Sequence, residues 1–416
     1  MSVMWRCAVC GEPVDNREPF PWRCPNATPT DPYHVLHLSG GSSELDTHPL
    51  AAGLDLPEAD LLEANPFLRY GPRLAWWDFA VSNGMTAGAC VALTEEVTSG
   101  FTITPFDRSA TLSDAVGTNL WIKDETGNVA GSHKARHLVG ILLRLRAAEQ
   151  LGMLTRRPPL AIASCGNAAL AAATLASRAD WPIDVYVPTW MDDRVGLRLA
   201  ELGARIHTCE RRTDDPPGDP AMHRFREARA AGSIPFTVQG PENAACLDGG
   251  RTIGWEIAEQ AAAAGARLGR AFIQVGGGAF AACVGRALGP TVRLDTVQAE
   301  GCAPLAEAWE RSTDVEQPAR YWSHVMRPWP HPHSLADGIL DDETYDWIAD
   351  FDVMVESGGR PVVATEKDIV RAHELASAAG YRVSATGSAG LAGALAAASS
   401  LAAGDHVVVV MSGVAR

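Results

Sequence analysis

Apolar residues fall along this chain in two kinds of run. Short, mostly apolar stretches occur at Leu120–Lys123, Pro159–Ala163, Ile183–Val187, Ala271–Val275 and Val407–Met411, and Val292–Gln298 is a further, more mixed one. Runs of this length read as strands, and the last as a buried one. Between them lie segments with helical spacing: the amphipathic stretch Lys134–Leu151, an Ala-rich stretch from Asn167 to about Arg178, Asp193–Leu202, and about 279–288. Strands regularly separated by helices predict parallel sheets joined by right-handed crossovers. The alternation starts late. Residues 1–40 have little periodicity and are rich in Cys, Pro and Trp, and 41–110 reads as a connecting region with helical patches. One of those patches is a helix through Trp76 and Trp77, after Asn65–Tyr70. The stretches 214–220 and 311–334 are turn-rich and read as long loops facing substrate or solvent.

Size and charge narrow the function. A chain of 416 residues exceeds one ordinary core and predicts two α/β domains. With 46% apolar and 20% charged residues, the composition is that of a soluble globular protein, and no run approaches the roughly 20 apolar residues of a membrane span. No secretory signal is visible at the N-terminus. The net charge of −15 argues against nucleic acid or an anionic membrane as partner, although backbone N–H groups can still bind an anion locally. Nine cysteines, mostly scattered singly, read as reduced thiols and a cytoplasmic location. Only Cys7, Cys10 and Cys24 cluster. Cys7-x-x-Cys10 resembles the front of a zinc ribbon, whose ligands normally come as two pairs. Asn26 and Ala27 stand where a fourth Cys would fall, so His34 or His37 would have to close the site. The other reading is a metal-free packed segment, and either role is structural.

Three glycine-bearing turns follow apolar strands and precede helices, where ligands bind in open α/β sheets. In Gly131-Ser132-His133-Lys134 a lysine opens a helix. The helix dipole disfavours a second positive charge there and lowers the amine pKa, as a Schiff-base lysine requires. A solvated surface lysine is the plain alternative. In Ala163–Ala168, backbone N–H groups at a helix start can receive a carboxylate, and the Asn167 amide can bond a ring hydroxyl. The plain alternative is a helix capped by Ser164 or Asn167. In Val275–Ala279, Gly276, Gly277 and Gly278 let the backbone approach a phosphate with a helix dipole behind it. The spacing is neither a dinucleotide fingerprint nor a Walker loop. Finally, Ser412 ends a buried strand, where a hydroxyl could bond a pyridine nitrogen without protonating it.

These four pieces, in this order, resemble the fold type II pyridoxal phosphate (PLP) enzymes. That superfamily includes threonine synthase, threonine and serine dehydratases, cysteine synthase and the tryptophan synthase β chain. The resemblance covers roughly 65–416 and rests also on Phe101–Pro105, Lys123–Thr126, Gly249–Glu256, Val297–Gly301 and Ala336–Gly338. The Cys-bearing N-terminus leans toward the threonine synthase branch, whereas Ser412 leans toward the dehydratases. Cys165 and Ala168 depart from the family's usual Ser/Thr/Ala and Thr/His.

The resemblance implies an α/β fold of two domains with twisted, mostly parallel sheets and a small Cys-containing N-terminal extension. Residues 1–40 would form the extension, 41–150 with 241–416 the large PLP-binding domain, and 151–240 a smaller α/β domain. Lys134 would carry PLP as a Schiff base. Gly276, Gly277, Gly278 and Ala279 would hold its phosphate, Asn167 its ring hydroxyl and Ser412 its nitrogen. Ser164, Cys165, Gly166 and Ala168 would receive the substrate carboxylate. The implied activity is that of a lyase or threonine-synthase-like enzyme, abstracting an α-proton and eliminating from a small hydroxy or O-activated amino acid. The alternatives are a β-replacement synthase and a non-catalytic PLP-binding protein. Zinc at Cys7, Cys10 and Cys24 and a homodimer complete the expectations.

Overall fold

The apolar runs pair into three sheets in the computed structural model, which describes residues 4–28, 31–39, 64–216 and 218–416. Part of the connecting region expected at 41–110, namely 41–63, lies outside the described residues. Strands β1 (Met4–Cys7), β2 (Pro13–Asp15) and β3 (Leu36–Ser39) form a small antiparallel sheet in the order β2-β1-β3. The largest sheet combines β4 (Phe106–Arg108), β5 (Asn119–Asp124), β10 (Arg270–Gln274), β11 (Arg293–Ala299), β12 (Pro361–Ala364) and β13 (His406–Met411). Its order is β12-β11-β10-β13-β5-β4, parallel throughout except for the edge strand β4. Between β5 and β10 the chain makes a wholly parallel sheet from β6 (Leu160–Ala163), β7 (Ile183–Pro188), β8 (Arg205–Cys209) and β9 (Ile234–Pro235), in the order β8-β7-β6-β9. The fold is α/β, as the alternation of strands and helices requires.

Why Ala271–Ile273 of β10 and Val407–Met411 of β13 are apolar is visible in their packing. Successive residues of β10 and β13 face opposite layers, and both layers are covered. Ala271, Ile273, Val408 and Val410 pack on helices α4 (Arg251–Ala263), α5 (Ala279–Leu288) and α6 (Trp347–Ser357), through Ile257, Val284 and Phe351 among others. Phe272, Val407 and Val409 face α7 (Glu366–Ala378) and α8 (Ala389–Ala396), through Ile369 and Leu391. A separate cluster joins the small parallel sheet to α2 (Lys134–Gln150), α3 (Asn167–Arg178) and α1 (Ala75–Ser82), with Trp5 and Leu36 of the N-terminal sheet. The helix opened by Lys134 therefore sits among all three sheets. The 311–334 stretch is not the open loop its prolines suggest. It contains helical turns at Pro318–Tyr321 and Trp322–Val325, because Trp322 is buried edge-on against Trp347.

Candidate functional site

The carboxyl ends of β5, β10 and β13 lie side by side, and the chain leaving each one builds a wall of the same cleft. After β5, the loop to α2 is stitched to the end of β13. Glu125 N donates to Met411 O (2.9 Å), Val414 N donates to Gly131 O (2.8 Å), and Ser132 bridges Gly413. Gly131 has φ +70°, and a Cβ there would stand 2.6 Å from Val414. His133 anchors the last step: its backbone N and its Nδ1 both donate to Ser412 O, each at 3.0 Å. Its ring stacks on Phe280, centroids 4.1 Å apart. Burial, with help from the Lys134 charge, holds its pKa far below the usual range, so the imidazole is neutral.

Lys134 is thus fixed as the first residue of α2, beside the starts of α5 and the post-β13 turn. Its amine has no hydrogen bond or ion pair among the described residues. Burial lowers its pKa, and the carboxyls of Asp341 and Asp346 oppose that only in part. The chain has just three lysines. Lys123 is fully buried and donates to Glu256, Thr104 O and Gln260; Lys367 is exposed on α7. Lys134 alone offers a free amine in the cleft.

The glycine turn after β10 is approached by the segment 339–350. A Cβ on Gly276 would collide with Asp341 Oδ2, and one on Gly278, whose φ is +100°, would meet Asp350 Oδ2 at 2.5 Å. Asp346 N donates to Gly277 O (2.7 Å), while its carboxylate accepts from Gly240 N (3.1 Å). Ala279, the first residue of α5, is buried. These aspartates were not legible as site residues. Burial raises Asp341 to about 6 and Asp346 to about 7, and raises Asp350, both of whose oxygens lack a partner, well above the carboxylate range. The loop therefore faces three carboxyls whose pKa burial has raised.

Ser412 Oγ accepts from Gln274 Nε2 (2.6 Å), an amide that also donates to Gly387 O (2.9 Å). The Ser412 hydroxyl hydrogen is consequently left to donate into the cleft. Asn167 opens α3 at the end of β6. Its Nδ2 lies 3.0 Å from where a Gly413 Cβ would be, and its Oδ1 accepts from Arg416 Nε (3.1 Å). Ser164, Cys165 and Gly166 form the half-buried turn before it, and Ala168 is buried. Burial raises the Cys165 thiol, as do the nearby carboxylates of Asp219, Asp337 and Asp341. Lys134, Asn167, the glycine turn and Ser412 are thereby brought to the carboxyl ends of neighbouring strands, with the 164–168 turn joining them through Asn167. Cys7, Cys10 and Cys24 are not part of it. They gather elsewhere with His34, whereas His37 turns to Asp352 (3.3 Å).

Comparisons with known proteins agree with this architecture. No curated protein matches the chain. Among solved structures, a T.th. threonine deaminase is similar at 21% identity, covering 80% of this chain and 98% of its own, with a TM-score of 0.63. Maize serine racemase is similar at 18% identity over 78% of this chain and 92% of its own (TM-score 0.62). Diaminopropionate ammonia lyase from Escherichia coli is similar at 15% identity over 78% and 88% (TM-score 0.61). Among described residues no helix is long and apolar enough to cross a membrane. The family model described as pyridoxal-phosphate dependent enzyme matches residues 97–413, the span that carries every wall of the cleft, and the chain belongs to that family.

Proposed function

We propose that this protein is a PLP-dependent lyase that eliminates a β-substituent from a small hydroxy or O-activated amino acid. The observation that carries the reading is Lys134, a half-buried lysine at the start of α2 whose amine has no hydrogen bond or ion pair among the described residues. The donor set suits the cofactor. Gly276–Gly278 carry no side chain between their backbone N–H groups and a ligand, Ser412 keeps a hydroxyl hydrogen to donate, and Lys134 has the lowered basicity that bonding to an aldehyde requires. The aspartates facing the glycine turn do not contradict a phosphate there. Burial already raises their pKa, and a bound anion would raise them further toward the neutral form.

Lys134 would hold PLP, with its phosphate at Gly276, Gly277, Gly278 and Ala279, its ring hydroxyl at Asn167 and its nitrogen at Ser412. When bound, PLP supplies the electron sink. The chain's residues supply the rest. The turn Ser164, Cys165, Gly166 and Ala168 receives the substrate carboxylate on N–H groups at the start of α3. The Lys134 amine, its basicity lowered by burial, takes the proton from the substrate α-carbon once it is unprotonated. Asp341, raised to about 6 and close to Lys134, would give a proton to the group leaving the β-carbon. The eliminated product, released as an enamine and hydrolysed by water, gives a 2-oxo acid and ammonia; threonine-synthase-like chemistry would instead expel phosphate from the γ-carbon and add water at the β-carbon.

The test is the visible spectrum of protein produced with PLP, before and after borohydride, beside Lys134→Ala. Wild type should be coloured and should carry the reduced cofactor on the peptide containing Lys134; the variant should not. Serine, threonine and their O-phospho and O-acetyl forms are then assayed for ammonia and 2-oxo acid. Colourless wild type, or labelling indifferent to Lys134, refutes the assignment of the amine. Colour without turnover of any of these compounds refutes the substrate class.

A further inference from the structure

The N-terminal sheet brings together three thiols and one imidazole, although its sequence spacing is incomplete as a ribbon. Cys7 ends β1, and Cys10 sits in the tight turn that follows, closed by Gly11 N donating to Cys7 O (2.9 Å). Cys24 comes from the loop after β2, and His34 from the approach to β3. All four ligand atoms lie within 4.8 Å of one another. Cys10 Sγ is 3.7 Å from Cys24 Sγ, and Cys7 Sγ is 3.5 Å from His34 Nδ1. Every cysteine is free, and 3.7 Å is far beyond a disulfide bond.

Those separations have a simple source. A tetrahedral zinc ion with Zn–S of about 2.3 Å and Zn–N of about 2.0–2.1 Å has edges of about 3.8 Å between sulfurs and about 3.5 Å between sulfur and nitrogen. The surroundings are also those of a ligand set. His34 Nε2 lies 3.2 Å from Asp31 Oδ2, an interaction that leaves Nδ1 bare toward the thiols, and Asn26 Nδ2 donates to Cys10 Sγ (3.4 Å). Cys7, Cys24 and His34 are buried, and only Cys10 reaches the surface.

What the cluster closes is a clasp on the helix of Lys134. The chain between Cys10 and Cys24 runs over α2, where Arg144, itself 1% exposed, grips it. Arg144 donates to Asn16 Oδ1 (2.9 Å), Asn16 O (2.7 Å), Glu18 O (2.5 Å) and Pro19 O (3.2 Å). Further on, Ala244 N donates to Trp22 O (2.9 Å) and Arg23 Nε to Pro241 O (3.1 Å). We propose that Cys7, Cys10, Cys24 and His34 bind one zinc ion, and that this ion locks residues 16–24 across α2. The pair β1–β2 is only three residues long in register and has little core of its own, so a metal is the natural staple for it.

The experiment uses the full chain purified under reductant, with metal content measured by mass spectrometry. The expected result is about one zinc per chain, retained through dialysis and replaceable by cobalt with the visible bands of a tetrahedral thiolate complex. Cys10→Ser, chosen because its thiol is exposed, should lower zinc by about tenfold or more, while Cys90→Ser leaves it unchanged. Removing zinc with a chelator should speed amide exchange at residues 16–24 and in the part of α2 around Arg144. Wild type without zinc and without a tetrahedral cobalt spectrum overturns the site. Zinc that persists in Cys10→Ser places it elsewhere, and unchanged exchange after its removal overturns the clasp. None of these readouts depends on PLP.

Discussion

Arg136, two residues after Lys134, is the centre of a dry ion network, and its replacement by Met is the most informative single change. The side chains of Arg136, Glu125, Glu256 and Lys123 are all 0% exposed. Arg136 makes a two-pronged contact to Glu125, with Nε to Oε2 at 2.9 Å and Nη2 to Oε1 at 2.8 Å, and its Nη1 reaches Glu256 and Thr252 Oγ1. Two carboxylates face two cations, so the wild-type network is balanced. In Arg136→Met, Lys123 alone must serve both carboxylates. Breaking a buried pair by removing one partner costs about 3–5 kcal/mol, because the orphaned charge stays dry. The cost should depend on pH. Burial pushes Glu125 up, but Arg136 and Lys123 outweigh it and hold it below the usual carboxylate range. Without Arg136 that carboxyl rises and takes up a proton when acid is available. A group raised on folding keeps its stability contribution at low pH and loses it as pH climbs, so the deficit should be smaller at pH 5 than at pH 8. Urea unfolding followed by far-ultraviolet circular dichroism at the two pH values measures both quantities. Arg136→Met with Glu256→Gln should recover about 1 kcal/mol or more, since one orphaned charge goes too. A deficit under about 1 kcal/mol, or one that grows toward acid, would refute the reasoning.

Two further changes probe the floor of the cleft. Gly278→Ala forces a side chain into φ +100° and toward Asp350, so we expect a cost of about 1–3 kcal/mol and PLP binding weakened about tenfold or more; Gly265→Ala, also at positive φ but facing open space, should leave the PLP titration unchanged. Asp346 is raised from 3.8 to about 7, chiefly by burial, so its contribution is intact below about pH 4 and is lost as pH rises through 7. Asp346→Asn keeps an acceptor for Gly240 N without the charge, and should gain on wild type by up to about 4 kcal/mol between pH 4 and pH 8; parallel stability curves across that range would show that Asp346 does not titrate there.

Much of the large sheet was readable because strands covered on both faces leave apolar runs, as in Ala271–Ile273 of β10 and in β13. The turns after them were readable because a glycine, or a lysine at a helix start, is hard to explain locally. What escaped has a common cause. Asp341, Asp346 and Asp350 look like ordinary acidic residues until the fold lays segment 339–350 on a glycine turn about 65 residues earlier. Lys123 reads as one polar position in a strand, and only α4 shows it to be a buried ion with Glu256 as partner. The strands β4 and β9, of three and two residues, carry no periodicity to detect. The choice of His34 over His37 follows from β3, whose pairing with β1 fixes which imidazole turns inward.

The pairing of β5 with β13 has a consequence for how the protein is made. Asp124 and His406 are separated by some 280 residues, yet their strands are immediate neighbours. At a synthesis rate of about 5–20 residues per second, β5 waits roughly 15–55 s for that partner to be translated. Throughout that interval Leu120 and Ile122, both fully sheltered in the finished sheet, lack the neighbour that covers them. The small parallel sheet, built wholly from residues 160–235, can assemble meanwhile from what has already left the ribosome. The nascent chain is therefore most prone to aggregation, and most in need of a chaperone, just before its last strand emerges. Lys134 acquires its surroundings only at that moment.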